Sequence, residues 1–184
     1  LEKVKKFKGE IIMKKLLSAL ILGILLTGIY SNASAQTTGM MQIKIYFPTD
    51  NYEDDEKLIE VTRTVKKTTR VADVALRELL KGANEEEKKR GLISVYETSD
   101  IITGREDCQS NKMKPLGAYL IGVSVSKKGV ATVNFKPEAE CYLQSAISMM
   151  NRVMNPIEKT LMQFKTIKKV QYALNGKVIT EWDA

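Results

Sequence analysis

The chain contains no histidine. That removes Ser-His and Cys-His nucleophile pairs and the commonest zinc ligand. Ser124-Val125-Ser126-Lys127 matches the Ser-x-x-Lys spacing of acyl-serine enzymes, which place both groups on one helical turn so that the amine meets the hydroxyl. Here the motif spans a strand and its hairpin turn, where residues three apart face opposite ways, so the chemistry does not assemble. The acidic run from Asp50 to Glu56 has carboxylates at calcium-loop density. It lacks the glycine at the sixth place and the bidentate glutamate at the twelfth, and reads as a solvated loop. Glu138 and Glu140 flank Cys141 without any neighbour that would raise a carboxyl pKa. No catalytic, cofactor-binding or metal-ligating residue is expected, and the chain is not expected to be an enzyme.

Charge narrows the partners. Lys66-Lys67-Arg70, Lys88-Lys89-Arg90 and Lys165-Lys168-Lys169 form basic clusters within a formal net charge of +7. Much of that excess sits near the N-terminus. Residues 1–35 hold six lysines and two glutamates, which leaves 23 basic and 20 acidic residues, a net of +3, for 36–184. A domain of that modest charge is not expected to bind nucleic acid, and the clusters read as solvated faces.

Met13-Lys14-Lys15 followed by the apolar run Leu16–Ile29 and the small-residue site Ala33-Ser34-Ala35 predicts a signal peptide cleaved between Ala35 and Gln36. Residues 1–12 read as an N-terminal extension ahead of Met13. The alternative is an uncleaved anchor, for which the run is short against the ~20 apolar residues of a span; only that segment would touch a membrane. No cysteine follows the apolar run to accept a lipid.

Cys108 and Cys141 both fall in the exported part. In an oxidising compartment the simplest reading is one disulfide, and the alternative is two free thiols. A bond between them would stabilise the fold by roughly 3–4 kcal/mol in the chain-entropy model. It would also pin the long, turn-rich stretch Glu97–Gly117, which otherwise has no reason to be ordered.

The elements that carry these residues follow from periodicity. Met41, Ile43, Ile45 and Phe47 alternate as a half-buried strand that stops at Pro48, and Leu58–Val65 is a second strand rich in β-branched residues. Thr68 or Thr69 is placed to cap a helix with the stripe Val71, Val74, Ala75, Leu79 and Leu80, ended by Gly82. Asn84 with Glu87 three residues on is a capping box for a short helix that ends at Gly91.

A strand over Tyr119–Val125, with Ile121, Val123 and Val125 on one face, turns at Lys127-Lys128-Gly129 into Val130–Phe135. Tyr142–Phe164 has helical spacing, with a break favoured at Asn155-Pro156. Val170, Tyr172 and Leu174 form a last strand before the hairpin signal Asn175-Gly176. These patterns predict one α/β (α+β) domain over 36–184, a mixed and mostly antiparallel sheet with helices on one face.

In order and spacing, these segments resemble the GerMN domain, the sporulation and spore germination domain. The resemblance is carried by Ile43–Pro48, Leu58–Val65, Val71–Gly82, Glu87–Ser94, Gly129–Phe135, Thr160–Phe164 and Lys169–Lys177. Two departures are the longer link Glu97–Gly117 and Lys165-Thr166-Ile167 in place of a Pro-Gly turn. The resemblance implies an exported α/β module without catalytic residues that acts by protein–protein contact in envelope or spore assembly. Its expected partner is an envelope or sporulation protein, or a second copy of itself. The rival expectation is a binding domain for a glycan or cell-wall polymer, favoured by a pocket lined by Trp182 or an exposed tyrosine.

Overall fold

The computed structural model describes residues 39–49, 57–94, 96–97, 108, 112–143 and 147–180, all within a unit that spans Thr38–Ala184. Ala35 and Gln36, the acidic loop from Asp50 to Glu56 and Trp182 lie outside the described residues.

Strands β1 (Met40–Pro48) and β2 (Leu58–Lys66) form an antiparallel pair in continuous register, with Lys44 opposite Thr62 and Tyr46 opposite Glu60. Alternation has the expected result: Ile43, Ile45 and Phe47 of β1 are buried with Val61 and Val65 of β2, while Glu60, Thr62, Thr64 and Lys66 face water. Helix α1 (Val71–Leu80) follows and turns out at Gly82, whose φ of +82° suits glycine. Its N-cap is Arg70 rather than a threonine. The Thr68 hydroxyl accepts instead from the Arg70 N–H, one residue ahead of the helix (3.1 Å). Helix α2 (Glu85–Lys89) has the full capping box, Asn84 accepting from Glu86 and Glu87 while the Glu87 carboxylate accepts from the Asn84 N–H.

A 3₁₀ turn at Leu116–Tyr119 leads into β3 (Leu120–Val125), then β4 (Val130–Phe135). Helix α3 (Glu140–Leu143) and helix α4 (Ile147–Met162) precede β5 (Lys169–Leu174) and the two-residue β6 (Lys177–Val178). The order β3-β4-β5-β6 is antiparallel, parallel, antiparallel. The structure therefore has two sheets where one mixed sheet was expected. They meet through the helices: α4 packs on β1 and β5, and α1 packs on β1, β3 and α4.

Two further expectations change. Helix α4 runs through Pro156 without a break. Its stripe of Val153, Ile157 and Leu161 is buried in the main core with Phe47, Val133 and Phe135, and that packing overrides the local signal. The side chains of the earlier stripe residues Ala146, Ile147 and Met150 lie outside the description. In β3, the register shifts between Leu120 and Gly122, so Ile121 is an extra residue and stands exposed. Val125 keeps the face of Ala131 opposite it but is exposed as well, at the end of an outer strand.

The Cys108 and Cys141 sulfur atoms lie at bonding distance, with Cα atoms 5.4 Å apart, inside the usual range for a disulfide. The bond ties the turn at Cys108 to α3.

Candidate functional site

The register of the β1–β2 hairpin determines which backbone groups point outward. The Lys44 N–H donates to the Gln163 side-chain oxygen (3.0 Å), and the Gln163 amide nitrogen donates back to the Lys44 carbonyl (2.6 Å). The side chain thus reproduces one rung of a β-ladder from a position just past the end of α4. Two residues on, the Tyr46 N–H donates to the hydroxyl of fully buried Thr160 (3.2 Å), and the Pro48 carbonyl accepts from the Ile93 N–H (3.1 Å). Three consecutive outward positions of β1 are therefore occupied.

The outer strand of the second sheet is closed by the same device. Asp73 of α1 is 5% exposed and accepts from the Val123 N–H (3.1 Å), while its other oxygen takes Arg77 (3.1 Å) and Arg70 (3.3 Å). Arg77 in turn donates to the Ile121 carbonyl (3.2 Å). Gly122 permits this approach, since a β-carbon there would meet the Asp73 carboxylate at 3.2 Å.

β2 differs. In an antiparallel pair, residues opposite outward-pointing ones also point outward. Glu60, Thr62 and Thr64 stand opposite Tyr46, Lys44 and Gln42, so their N–H and C=O groups face away from β1. Among the described residues no hydrogen bond reaches them, and β1 is the one element that packs extensively on this strand. Among the described residues the result is an open edge along a nine-residue strand, while β6 is only two residues long. Arg63 anchors the strand from its buried side. It donates to the Glu78 and Gly82 carbonyls (2.7 and 2.8 Å) and to Glu87 (2.7 Å), and sits 5.4 Å from the centre of the Phe47 ring.

The solvent face of the hairpin carries a small polar cluster. Glu60 accepts from Lys44 (2.9 Å) and from the Tyr46 hydroxyl (2.9 Å). The Lys44 and then the Tyr46 hydrogen bond hold the Glu60 carboxyl below its usual pKa, and Glu60 pushes the Lys44 ammonium up. Burial, then Glu60, raises the Tyr46 phenol. Beside it, Tyr46, Asn155, Glu158, Lys159 and Met162 line a cleft of about 510 Å³. Lys159 lies 5.8 Å from the centre of the Tyr46 ring, and burial raises the Glu158 carboxyl.

Other sequence candidates stay apart. Ser124 lies on β3 and Lys127 in the following turn, both exposed. Glu138 and Glu140 sit in successive short helical turns. Lys66, Lys67, Arg90, Lys165, Lys168 and Lys169 are exposed. Among the described residues no group of three or more His, Cys, Asp or Glu side chains could hold a metal ion, and no helix is long and apolar enough to cross a membrane. Sequence reading missed Asp73, Thr160 and Gln163. Asp73 interrupts an apolar stripe, which was the only available signal.

These features define a small α+β domain of two sheets packed through shared helices, with strand edges closed by helix-borne side chains. Its family follows from the sequence: a model described as Germane, sporulation and spore germination, matches residues 44–180, and the chain belongs to that family. No curated protein sequence matches it significantly. Among solved structures it is similar to the tandem GerMN domains of the sporulation protein GerM from Bacillus subtilis, at 17% identity and a TM-score of 0.51. That match covers 79% of this chain and 43% of the other, so this chain spans less than half the length of the tandem protein. The first GerMN domain of the same protein matches at 18% identity and a TM-score of 0.49, covering 78% of this chain and 90% of the other.

Proposed function

We propose that this chain works outside the cytoplasm as a non-enzymatic interaction domain of the sporulation or germination machinery at the cell envelope. The observation that carries the reading is the contrast among strand edges. Outward groups of β1 and β3 are bonded by side chains from α1, α4 and their neighbours, while the alternate outward positions of nine-residue β2, Glu60, Thr62 and Thr64 among them, have no partner among the described residues. An open edge of that length is a template for another strand, and natural proteins ordinarily blunt it unless it is used. Membership of the sporulation and germination family, the cysteine pair and the signal-like segment Met13–Ala35 support the setting.

The experiment has two readouts in cells entering sporulation. A reporter fused after Ala184 that is active only beyond the cytoplasm is expected to be active. A photo-crosslinking residue at Thr64 is expected to yield a discrete protein adduct absent when the label is moved to Lys128. A silent reporter, or the same adduct pattern from both positions, overturns the reading.

The cleft beside Tyr46 favours a second reading, recognition of a glycan or wall polymer, because a tyrosine ring and flanking amide and charged groups suit a sugar. Saturable binding of wall-polymer fragments that is lost in Tyr46→Ala, with no protein adduct from Thr64, would favour it.

A further inference from the structure

We infer that the β2 edge pairs with the β2 edge of a second copy of this chain, antiparallel about Thr62, giving a closed two-fold dimer. The inference rests on the interaction reading above and names its surface and its partner.

The strand is self-complementary in one register. Centring on Thr62 pairs all nine residues, Leu58 to Lys66, and sets outward-pointing positions opposite outward-pointing positions: Thr62 on Thr62, Glu60 on Thr64 of the second copy. Glu60 then lies one diagonal step from Lys66 of the second copy, within reach of long side chains, and the two-fold axis makes that contact twice. Its carboxylate is already held on the exposed face by Lys44 and Tyr46, so it is oriented before the second copy arrives. A register centred on Arg63 pairs only Glu60 to Lys66, two residues fewer. One centred on Glu60 pairs only Leu58 to Thr62 and opposes two carboxylates, a disfavoured like-charge pair.

The same geometry explains why growth stops at two. The joined sheet runs β1-β2-β2-β1, and each outer strand is a β1 whose outward positions Lys44, Tyr46 and Pro48 are already bonded to Gln163, Thr160 and Ile93. An isologous contact uses the same edge of both copies, and so closes as a point-group dimer rather than a filament. Pairing also turns a two-stranded hairpin into a four-stranded sheet, which is the smaller liability in water.

The test is sedimentation equilibrium of the full chain over a wide concentration range, with two variants. Thr62→Pro removes an N–H that points away from β1, so no rung of the hairpin is lost. The expected result is a monomer–dimer equilibrium without larger species, weakened at least tenfold by Thr62→Pro while the circular dichroism spectrum is kept. Thr62→Cys is the second variant, because paired Cα atoms about 5.5 Å apart lie in disulfide range. It is expected to give a covalent dimer on oxidation that Lys128→Cys does not give, and it decides the matter if the proline variant fails to fold. A wild-type chain that stays monomeric overturns the pairing but leaves a different protein as the partner, which the adduct from Thr64 reads separately. A dimer that neither responds to Thr62→Pro nor cross-links through Thr62→Cys also overturns it, and moves assembly to another surface.

Discussion

The two strands of one hairpin meet the outside in opposite ways. β1 and β2 are each nine residues long and share one register and one buried face. Yet the outward N–H groups of Lys44 and Tyr46 on β1 are bonded to residues more than a hundred positions away, whereas those of β2 have no partner among the described residues. The difference lies not in propensity but in what packs alongside. α4 crosses β1 and brings a buried threonine and a glutamine to its edge, while no helix of the described residues runs along β2. An edge can thus be closed by two side chains as effectively as by a strand, and leaving one open is a choice made elsewhere in the chain.

The largest way to break this comparison is to dislodge α4 itself. Leu161 is fully buried between Thr160 and the residues that lead to Gln163, and Leu161→Ala is expected to cost about 2–5 kcal/mol in chemical denaturation. Next is Asp73→Ala, which opens β3 instead of β1. It strands the Val123 N–H and two arginines, and should cost about 2–3 kcal/mol by the same measurement, as for hydrogen bonds to a charged group.

Gln163→Ala is milder and sharper. It should cost about 1 kcal/mol, and it gives β1 an open rung at Lys44. In sedimentation, species larger than a dimer are then expected, and their absence would mean that Thr160 and Ile93 suffice to close the edge.

Glu158→Gln serves as the control on the same helix. Burial raises the folded-state pKa of this carboxyl above its unfolded value, so the ionised form weighs against folding at neutral pH, and that weight is relieved as pH falls through the raised pKa. The variant is expected to raise stability slightly near pH 7, by less than about 0.5 kcal/mol at this half-exposed site, read in chemical denaturation. The gain should vanish in acid, with assembly unchanged.

Features built from neighbouring residues were legible in the sequence. The alternation of β1, the Asn84–Glu87 capping box and the Asn175-Gly176 turn, with φ of 47° and 84°, each follow from a few adjacent side chains. Cys108 and Cys141 were legible as a pair because no other cysteine competes. What escaped depends on distant packing. Pro156 reads as a helix start until the buried faces on either side hold it within α4. Ile121 reads as core until the bulge turns it out. The open edge could not be read at all, because whether a strand is an edge depends on which others pair with it. Gln163 looks like an ordinary surface residue until the strand it closes is in place, and Asp73 shows only as a polar break in an apolar stripe.

The glutamine that closes β1 has a consequence in time. Lys44 and Gln163 are 119 positions apart, and Gln163 is made well after both strands of the hairpin. At roughly 5–20 residues per second of synthesis, the hairpin exists for on the order of ten seconds with both of its edges bare. During that interval nothing in the finished geometry distinguishes the edge that stays open from the edge that is later covered. A nascent chain of this protein is therefore most exposed to wrong pairing before α4 emerges, and whatever guards it then must act on β1, whose edge α4 later covers.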